Sequence, residues 1–391
     1  MKVAFVVQRC GVEVVGGAES LCLQVAQHMS KYWQVEILTT CALDYTTWAN
    51  HFPSGIGKIG DVAVRRFPVE KERDRQLFDQ LSAQLAAPNG TTTLDEQEKW
   101  MRAQGPDAPS LVKFIDESSS SYAAFVFFGY LYAATYFGLP KVADKAWLAP
   151  LGHDEWTIHL NLWNTFFALP AGFIFQTREE KYFLEQRFPE LPLNGPVIGT
   201  GVDAPAHSRP EDFRAKYNLQ QPFLLYVGRV DAAKGCDCLF TYYQQARSEG
   251  RIDYQLVVIG PEIMPVPFHN DIVYLGVVSI QEKWDAMAAA DWLVAPSPHE
   301  SLSLSLLEGW AVGLPAVVSA ASEVLVGHCR ESNGGLWYES YTEWCAIFAV
   351  TEGTTRQQLG KQGQQYVRER YTWNAVEAAY CKVGQAFSGA A

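Results

Sequence analysis

The chain has 391 residues, of which 48% are hydrophobic and 19% charged, enough for two or three domains with sizeable cores. Its formal net charge is −12, and no basic face typical of a nucleic-acid-binding protein stands out. No apolar run of about eighteen residues predicts a membrane span, and the apolar start is too short for a secretion signal. We therefore expect a cytoplasmic protein with free thiols at its eight cysteines and no nucleic-acid partner.

The first half of the chain alternates strand-like and helix-like patterns. An apolar run at residues 3–7 is followed by a glycine-bearing loop, a helical pattern at 19–32 and a strand-like run at 35–39. This order predicts parallel strands joined by a helix. Residues 70–120 are polar and helical in character and predict a helical insertion. Further strands are predicted at residues 124–128, 146–149 and 173–176.

A segment rich in proline and glycine at residues 195–205 reads as a linker, and the alternation then restarts. Strands are predicted at 223–227, 255–259, 273–275, 292–295 and 316–318, and helices at 238–249, 281–290 and 304–312. The sequence thus predicts an α/β protein with two Rossmann-like, doubly wound domains, at residues 1–200 and 205–373. Ligands of such sheets bind beyond the carboxyl ends of the strands, so we expect the two domains to face one central cleft.

The most informative stretch is residues 296–315, where prolines end a strand and a helix begins near Ser303. Glu300 lies just before this helix and Glu308 inside it. The free N–H groups of a helix start suit a diphosphate, and a carboxylate deeper in the helix can accept hydrogen bonds from ribose hydroxyls. The alternative is that both glutamates merely complement the dipole of an ordinary helix.

Motifs along nearly the whole chain resemble glycosyltransferase family 4, the retaining GT-B enzymes with an E-x7-E signature. The signature corresponds to Glu300 and Glu308, followed by Gly313-Leu314-Pro315. The other matching motifs are Gly16-Gly17-Ala18-Glu19, Gly152-His153-Asp154, Gln176-Thr177-Arg178-Glu179, Gly228-Arg229-Val230 with Lys234-Gly235, and Tyr371-Thr372-Trp373. In this order and spacing the motifs carry more weight than any of them alone.

Two departures from the family pattern affect the expected site. The family usually reads E-x-F-G-L where this chain has Glu300-Ser301-Leu302-Ser303-Leu304. The missing glycine restricts how closely the backbone can approach a phosphate, although the N–H of Ser303 remains. The linker reads Gly199-Thr200-Gly201-Val202-Asp203 instead of P-x-G-V-D, which affects the hinge rather than the chemistry.

The resemblance implies a transfer that retains anomeric configuration, with Glu300 and His153 at the reacting sugar. Glu300 would orient the sugar, and His153 would donate a hydrogen bond, although a lone histidine is more often structural. Arg229 and Lys234 follow the first strand of the second domain and can reach the phosphates; the alternative is two surface cations. Because such cations can replace a metal ion and no Asp-x-Asp cluster stands in a convincing loop, we expect no cofactor and no metal requirement.

The remaining donor-binding candidates lie in loops. Gly16 and Gly17 would let backbone N–H groups approach the donor, unless they form a plain turn. We expect the start of the 304–312 helix to contribute Leu302, Ser303 and Leu304. Glu308 would hold the ribose, and Val278 would lie near the nucleobase.

The sequence predicts a UDP- or GDP-linked donor and leaves the acceptor open among a glycan, a lipid-linked and a small-molecule hydroxyl. It also leaves open a role in polysaccharide or glycoconjugate biosynthesis, peripheral contact with the inner face of a membrane, and the oligomeric state. The C-terminal helix, 374–391, is expected to cross back to the first domain rather than stay on the second. Aromatic side chains that could stack on an acceptor or fill the core are Tyr45, Trp48, Phe52, Trp100, Tyr130 and Tyr132.

Two other functions are compatible with the same architecture. One is a sugar-nucleotide epimerase or a phosphorylase, although no lysine context suited to a phosphorylase's pyridoxal cofactor is recognisable. The other is a non-catalytic sugar-nucleotide-binding protein on a degenerate transferase fold. The presence of Arg229, Lys234, Glu300 and Glu308 argues against such decay.

Overall fold

A computed structural model describes residues 1–87, 92–351 and 353–387 of the chain, which divides into two compact units. The first is Met1–Thr200 together with the chain from Val376 onward, and the second is Gly201–Ala375. The sequence predicted that the first domain ends at residue 200 and that the second begins at residue 205. The structure passes from one unit to the other between residues 200 and 201. Residues 388–391 of the predicted C-terminal helix lie outside the described residues.

The first unit is built on a mixed sheet with the strand order β3-β4-β2-β1-β5-β6-β7. Its strands are parallel except for the antiparallel pair β3–β4. The described strands are β1 (Lys2–Val6), β2 (Gln34–Thr40), β3 (Gly55–Ile59), β4 (Val62–Phe67), β5 (Ala124–Phe128), β6 (Ala146–Ala149) and β7 (Gly172–Phe173). The helices are α1 (Gly17–Met29), α2 (Arg75–Leu85), α3 (Leu94–Gln104), α4 (Pro109–Glu117), α5 (Ala133–Gly138), α6 (Leu162–Phe166) and α7 (Arg178–Arg187).

The second unit holds a parallel sheet with the strand order β10-β9-β8-β11-β12-β13. Its described strands are β8 (Phe223–Val227), β9 (Gln255–Ile259), β10 (Ile272–Gly276), β11 (Trp292–Ala295), β12 (Ala316–Ser319) and β13 (Gly335–Tyr338). The helices that follow the linker are α8 (Pro210–Lys216), α9 (Cys236–Ser248), α10 (Ile280–Ala289), α11 (Leu304–Ala311), α12 (Glu323–Ser332), α13 (Tyr341–Val350), α14 (Gly353–Arg370) and α15 (Trp373–Phe387).

The apolar runs of the second unit form strands because helices cover both faces of its sheet. Leu225, Val257 and Leu293 point into one core, whereas their neighbours Leu224 and Val258 point into another on the opposite face. Strands buried on both sides need continuous rather than alternating hydrophobicity. This packing confirms the predicted Rossmann-like character of the unit.

The hairpin β3–β4 was absent from the sequence prediction, which placed no strand between residues 39 and 124. Val62 and Val64 alternate towards the interior, and Gly60, with φ of +57°, turns the chain between the strands. The described part of the helical insertion predicted at residues 70–120 contains the helices α2, α3 and α4. The strand predicted at 173–176 is shorter than expected, because after Phe173 the backbone of Phe175 bridges to Val197.

Helix α15 begins in the second unit and continues in the first. The carboxylate of Glu377 accepts hydrogen bonds from Lys31 Nζ at 2.9 Å and Tyr32 Oη at 2.8 Å, and lies 2.7 Å from His28 Nδ1. These partners, at the end of α1 and just beyond it, hold the last helix in the first unit. No helix in the described part of the chain is both long and apolar enough to cross a membrane.

Candidate functional site

The carboxyl edge of the second unit's sheet brings Lys234 and Glu300 together. Lys234 ends a short 3-10 turn, Ala232–Lys234, that follows β8, and Glu300 lies in the loop between β11 and α11. Lys234 Nζ donates to Glu300 Oε1 at 2.7 Å, with 30% of the lysine side chain and 17% of the glutamate side chain exposed. Both charges are therefore within reach of a ligand.

Gly235 makes this approach possible. Its φ is +73°, and a Cβ at this position would lie 2.3 Å from the carbonyl oxygen of Pro296. Only glycine accepts both the left-handed conformation and the close contact. Glycine here therefore lets the turn that carries Lys234 pack against the loop that carries Glu300.

Arg229 lies two residues after the end of β8, in a loop that packs against Ile259 and Gly260 at the end of β9. Gly228 N–H donates to Ile259 O at 2.9 Å, and a Cβ on Gly260 would lie 1.9 Å from Gly228 O. Tyr226 Oη donates to the carbonyl oxygen of Arg229 at 2.5 Å. The guanidinium lies 3.9 Å from the Asp231 carboxylate. The backbone of Gly228 and Arg229 is therefore held by hydrogen bonds to Ile259 and Tyr226.

The start of α11 has an unusual backbone. Ser303, the residue before the helix, has φ of +69° and ψ of +81°, a left-handed conformation that favours glycine. The Leu302 side chain is buried in the core and Leu304 packs partly against it. Leu302 can therefore meet a ligand only through its backbone. Val278, after β10, also packs partly against this core.

Glu308 has a partner that the sequence analysis did not identify. Lys283 Nζ, on α10, donates to Glu308 Oε1 at 2.6 Å, and both side chains are partly exposed. No sequence pattern pairs residues 25 positions apart on two different helices. The pair appears only because α10 and α11 flank the same sheet.

In the first unit, Gly16 and Gly17 lie where β1 leads into α1. Gly16 is extended, with φ of 175°, and a Cβ there would lie 2.1 Å from Glu19 Oε2. Glu19 forms a buried pair with Arg9, which also donates to Leu43 O at 2.7 Å and to Val15 O at 3.3 Å. Gly17, by contrast, has open space around its Cβ position. The Arg9–Glu19 pair thus packs against the loop that contains Gly16 and fixes its position.

His153 lies in the loop after β6, with its Nδ1 3.8 Å from Glu155 Oε1. The loop is supported by Glu180 of α7, which is 1% exposed. Glu180 accepts the N–H of Gly152 at 2.8 Å and the N–H of Gln176 at 2.6 Å. Burial raises the pKa of Glu180 to about 8, although the backbone hydrogen bonds act in the opposite direction. The family motif quoted from the sequence ended at Glu179, so the sequence analysis missed the buried carboxyl of Glu180, the next residue.

Three of the six aromatic side chains that could either stack on an acceptor or fill the core are structural. Trp48, Trp100 and Tyr130 are fully buried, so they fill the core of the first unit. Tyr45, Phe52 and Tyr132 keep partial exposure. Among the described residues, no group of three or more histidine, cysteine, aspartate or glutamate side chains is arranged to hold a metal ion, and the described cysteines are free thiols.

Comparisons with known proteins agree with this architecture. Residues 221–343 match the family described as glycosyl transferases group 1, which covers the loops of Arg229, Lys234, Glu300 and Glu308. Sulfoquinovosyl transferase SQD2 of Arabidopsis thaliana is 26% identical over 40% of this chain. The match spans 32% of that protein, about a third of its length.

Solved structures resemble the whole chain. Sucrose-phosphate synthase from Thermosynechococcus elongatus has a TM-score of 0.73 at 16% identity, with 100% of both chains covered. Anabaena HepE, solved with UDP-glucose, has a TM-score of 0.68 at 15% identity, covering 99% of this chain and 100% of its own. WaaG, a glycosyltransferase involved in lipopolysaccharide biosynthesis, has a TM-score of 0.65 at 16% identity, covering 96% and 98%.

These neighbours are GT-B glycosyltransferases. The chain therefore has the α/β fold of that class, with two Rossmann-like domains, as its sequence predicted. At these identities the likeness establishes the fold.

Proposed function

We propose that the chain is a metal-independent, retaining glycosyltransferase that moves a sugar from a UDP- or GDP-linked donor to an acceptor hydroxyl. The observation that carries the proposal is the Lys234–Glu300 pair, 2.7 Å apart and partly exposed, in the loops beside the start of α11. A cation, a carboxylate and a set of free helix N–H groups lie together there. In binding a nucleotide-diphosphate sugar, the cation and the N–H groups would contact the diphosphate and the carboxylate would contact the sugar.

The diphosphate is the part of the donor that needs most stabilisation. Breaking the glycosidic bond puts negative charge on its oxygens, and fixed cations and N–H dipoles stabilise that charge. Arg229 and Lys234 supply the cations, and Ser303 and Leu304 supply backbone N–H groups at the start of α11. With these groups in place, the leaving group does not require a divalent metal.

Glu300 and His153 act on the sugar. Glu300 orients the donor sugar and stabilises its oxocarbenium-like centre, and His153 donates a hydrogen bond to the donor. The departing phosphate takes the proton of the incoming hydroxyl on the same face of the sugar, which retains the configuration.

The remaining groups hold the nucleotide. Glu308 accepts hydrogen bonds from the ribose hydroxyls while Lys283, 2.6 Å from its Oε1, keeps it oriented. The base lies near Val278, and the backbone at Gly16 and Gly17 approaches the donor. The UDP-glucose complex of Anabaena HepE makes UDP-glucose the first donor to test.

We place the activity in the cytoplasm, in polysaccharide or glycoconjugate biosynthesis, with peripheral contact to the inner face of the membrane if the acceptor is lipid-linked. The acceptor is a glycan, a lipid-linked sugar or a small molecule.

The main alternative is a binding protein or an epimerase on the same fold. Release of UDP from UDP-glucose, with and without a panel of acceptors, distinguishes them in the wild type, Lys234→Ala and Glu300→Gln. We expect the wild type to turn over UDP-glucose, and the turnover to fall by about a hundredfold or more in each variant. Lys361→Ala, an exposed lysine of α14, is the matched control and should keep full turnover.

Three outcomes would redirect the proposal. Binding without turnover by all the proteins would favour the non-catalytic alternative. Conversion of the sugar nucleotide without transfer would favour an epimerase. Loss of activity in EDTA, restored by Mg²⁺, would contradict metal independence.

A further inference from the structure

A buried histidine lies directly behind the loop between Glu300 and α11. His328, on α12, is 3% exposed. Its Nε2 lies 2.9 Å from the carbonyl oxygen of Leu302, and its Nδ1 lies 3.1 Å from the hydroxyl of Tyr366 on α14. Both ring nitrogens therefore have a hydrogen-bond partner, Nε2 in the loop and Nδ1 on α14.

The chemistry of the partners assigns the tautomer. A carbonyl oxygen can only accept, so the hydrogen of the ring is on Nε2. Burial lowers the pKa of His328 to about 4, which keeps the ring neutral, and Nδ1 therefore accepts from the Tyr366 hydroxyl. Glu331 Oε2, 3.3 Å from the same hydroxyl, is the more distant acceptor for its single hydrogen.

The bond to Leu302 lies next to a strained residue. Ser303 holds φ at +69°, where the family pattern has glycine and where any L side chain costs free energy. Such a conformation persists only when neighbouring contacts impose it. On the far side of Ser303, its carbonyl oxygen accepts Leu307 N–H at 3.3 Å, and on the near side the histidine holds Leu302.

We propose that His328 is a positioning residue that fixes the Leu302–Ser303 backbone and so aims the first amides of α11 and the Glu300 carboxylate. This role is particular to a chain that has serine rather than glycine at position 303. The effect of His328 on the loop does not depend on the proposed function. Only the consequence for donor binding rests on the proposed function.

Hydrogen exchange of the segment 297–306 in the protein without ligand tests the loop directly. We expect His328→Leu, which removes both hydrogen bonds, to speed exchange there by about tenfold or more. His328→Gln should exchange like the wild type, because its amide nitrogen can reach the position of Nε2 and donate to Leu302. His269→Leu, a change at a partly exposed histidine of the same unit, should leave the segment unaffected.

A shorter amide provides a second test if the leucine variant does not fold. His328→Asn keeps a polar side chain but cannot reach Leu302, so it should exchange faster than His328→Gln. Equal, wild-type exchange in the asparagine and glutamine variants would overturn the proposal. So would equally fast exchange in both.

Activity then separates this proposal from the proposed function. With UDP-glucose as the probe, His328→Leu or His328→Asn should lower kcat/KM by about tenfold, because small displacements at a reacting centre are costly, and His328→Gln should restore it. If the wild type neither binds nor turns over any sugar nucleotide while the exchange pattern holds, the proposed function fails and the positioning role stands. If exchange in the segment changes as expected but kcat/KM of an active enzyme does not, the histidine does not position the site.

Discussion

The two units carry similar sheets but use charge in opposite ways at the carboxyl edges. In the second unit, Lys234 and Glu300 form a pair whose side chains are 30% and 17% exposed. In the first unit, Arg9 and Glu19 form a pair in which each is 6% exposed. In a partly exposed pair, each charged side chain can leave the other and contact a ligand. In the buried pair, Arg9 also holds the backbone at Leu43 and Val15, so its charge is not available to a ligand. The comparison indicates that the charges of this pair in the second unit are accessible to a ligand, whereas those in the first unit hold the unit's own backbone.

Each unit also buries one titratable side chain behind a candidate loop. Glu180 accepts N–H groups from the loop of His153, and His328 donates to the loop of Ser303. Burial pushes both towards the neutral form, so the pKa of the glutamate rises to about 8 and that of the histidine falls to about 4. The same physical cause therefore gives opposite pH dependences.

The largest effect on stability is expected from breaking the buried pair of the first unit. Arg9→Met leaves Glu19 buried without its cation and removes the bonds to Leu43 and Val15. The free energy of unfolding should fall by about 3–5 kcal/mol, measured by urea denaturation. Lys234→Met, at the exposed pair, is the comparison and should cost less than about 1 kcal/mol. Equal costs would remove the distinction between the two edges.

A substantial effect is also expected at Gly235. Alanine there must adopt a φ of +73° and displace the backbone at Pro296, at a cost of about 1–3 kcal/mol. Because the displaced turn carries Lys234, UDP-glucose turnover should fall by at least about tenfold. Gly250→Ala is the control, since it has a similar φ of +64° and open space around its Cβ position. It should lose stability without losing turnover.

The pH dependence of stability sharpens the comparison. Glu180 has a folded pKa raised from 4.5 to about 8, so its stabilising contribution is complete below pH 4.5 and is lost as pH rises towards 8. Glu180→Gln mimics the protonated form, and its stability relative to the wild type should improve over that range. A difference between the two proteins that stays constant from pH 5 to 8 would contradict this assignment.

His328 gives the opposite slope. Its folded pKa is lowered from 6.5 to about 4, so the unfolded chain takes up the proton first as pH falls. The contribution is complete above pH 6.5 and is lost as pH drops towards 4. The free energy of unfolding of the wild type should therefore fall relative to that of His328→Gln as the pH decreases from 7 to 4, and parallel curves would count against this assignment.

The smallest effect is expected at Lys283. Lys283→Met leaves the carboxylate of Glu308 in place but without its cation, so the ribose contact weakens and the phosphate contacts remain. The KM for UDP-glucose should rise by a few-fold, about 1 kcal/mol or less for a partly exposed pair, with kcat unchanged. A large fall in kcat would place Lys283 at the reacting centre instead.

Much of this arrangement could be predicted from local pattern. Buried parallel strands have long apolar runs, so β8, β9 and β11 were recognised, and Glu300 and Glu308 follow from their spacing around one helix start. The hairpin β3–β4 was missed although Val62 and Val64 alternate beside the turn at Gly60, a signal that was available. Lys283 and His328 had no such signal, because each acts on a residue that only the packing of separate elements brings near. Glu180 bonds locally to Gln176 but reaches Gly152 only through such packing.

The proposed function requires the second unit to bind a diphosphate with Arg229, Lys234 and the start of α11. A crystal structure with bound UDP-glucose tests it most directly. We predict phosphate oxygens within hydrogen-bond distance of both cations and of the Ser303 or Leu304 N–H, with Lys234 Nζ moved away from Glu300. A diphosphate bound elsewhere, with the Lys234–Glu300 distance still 2.7 Å, would contradict the account.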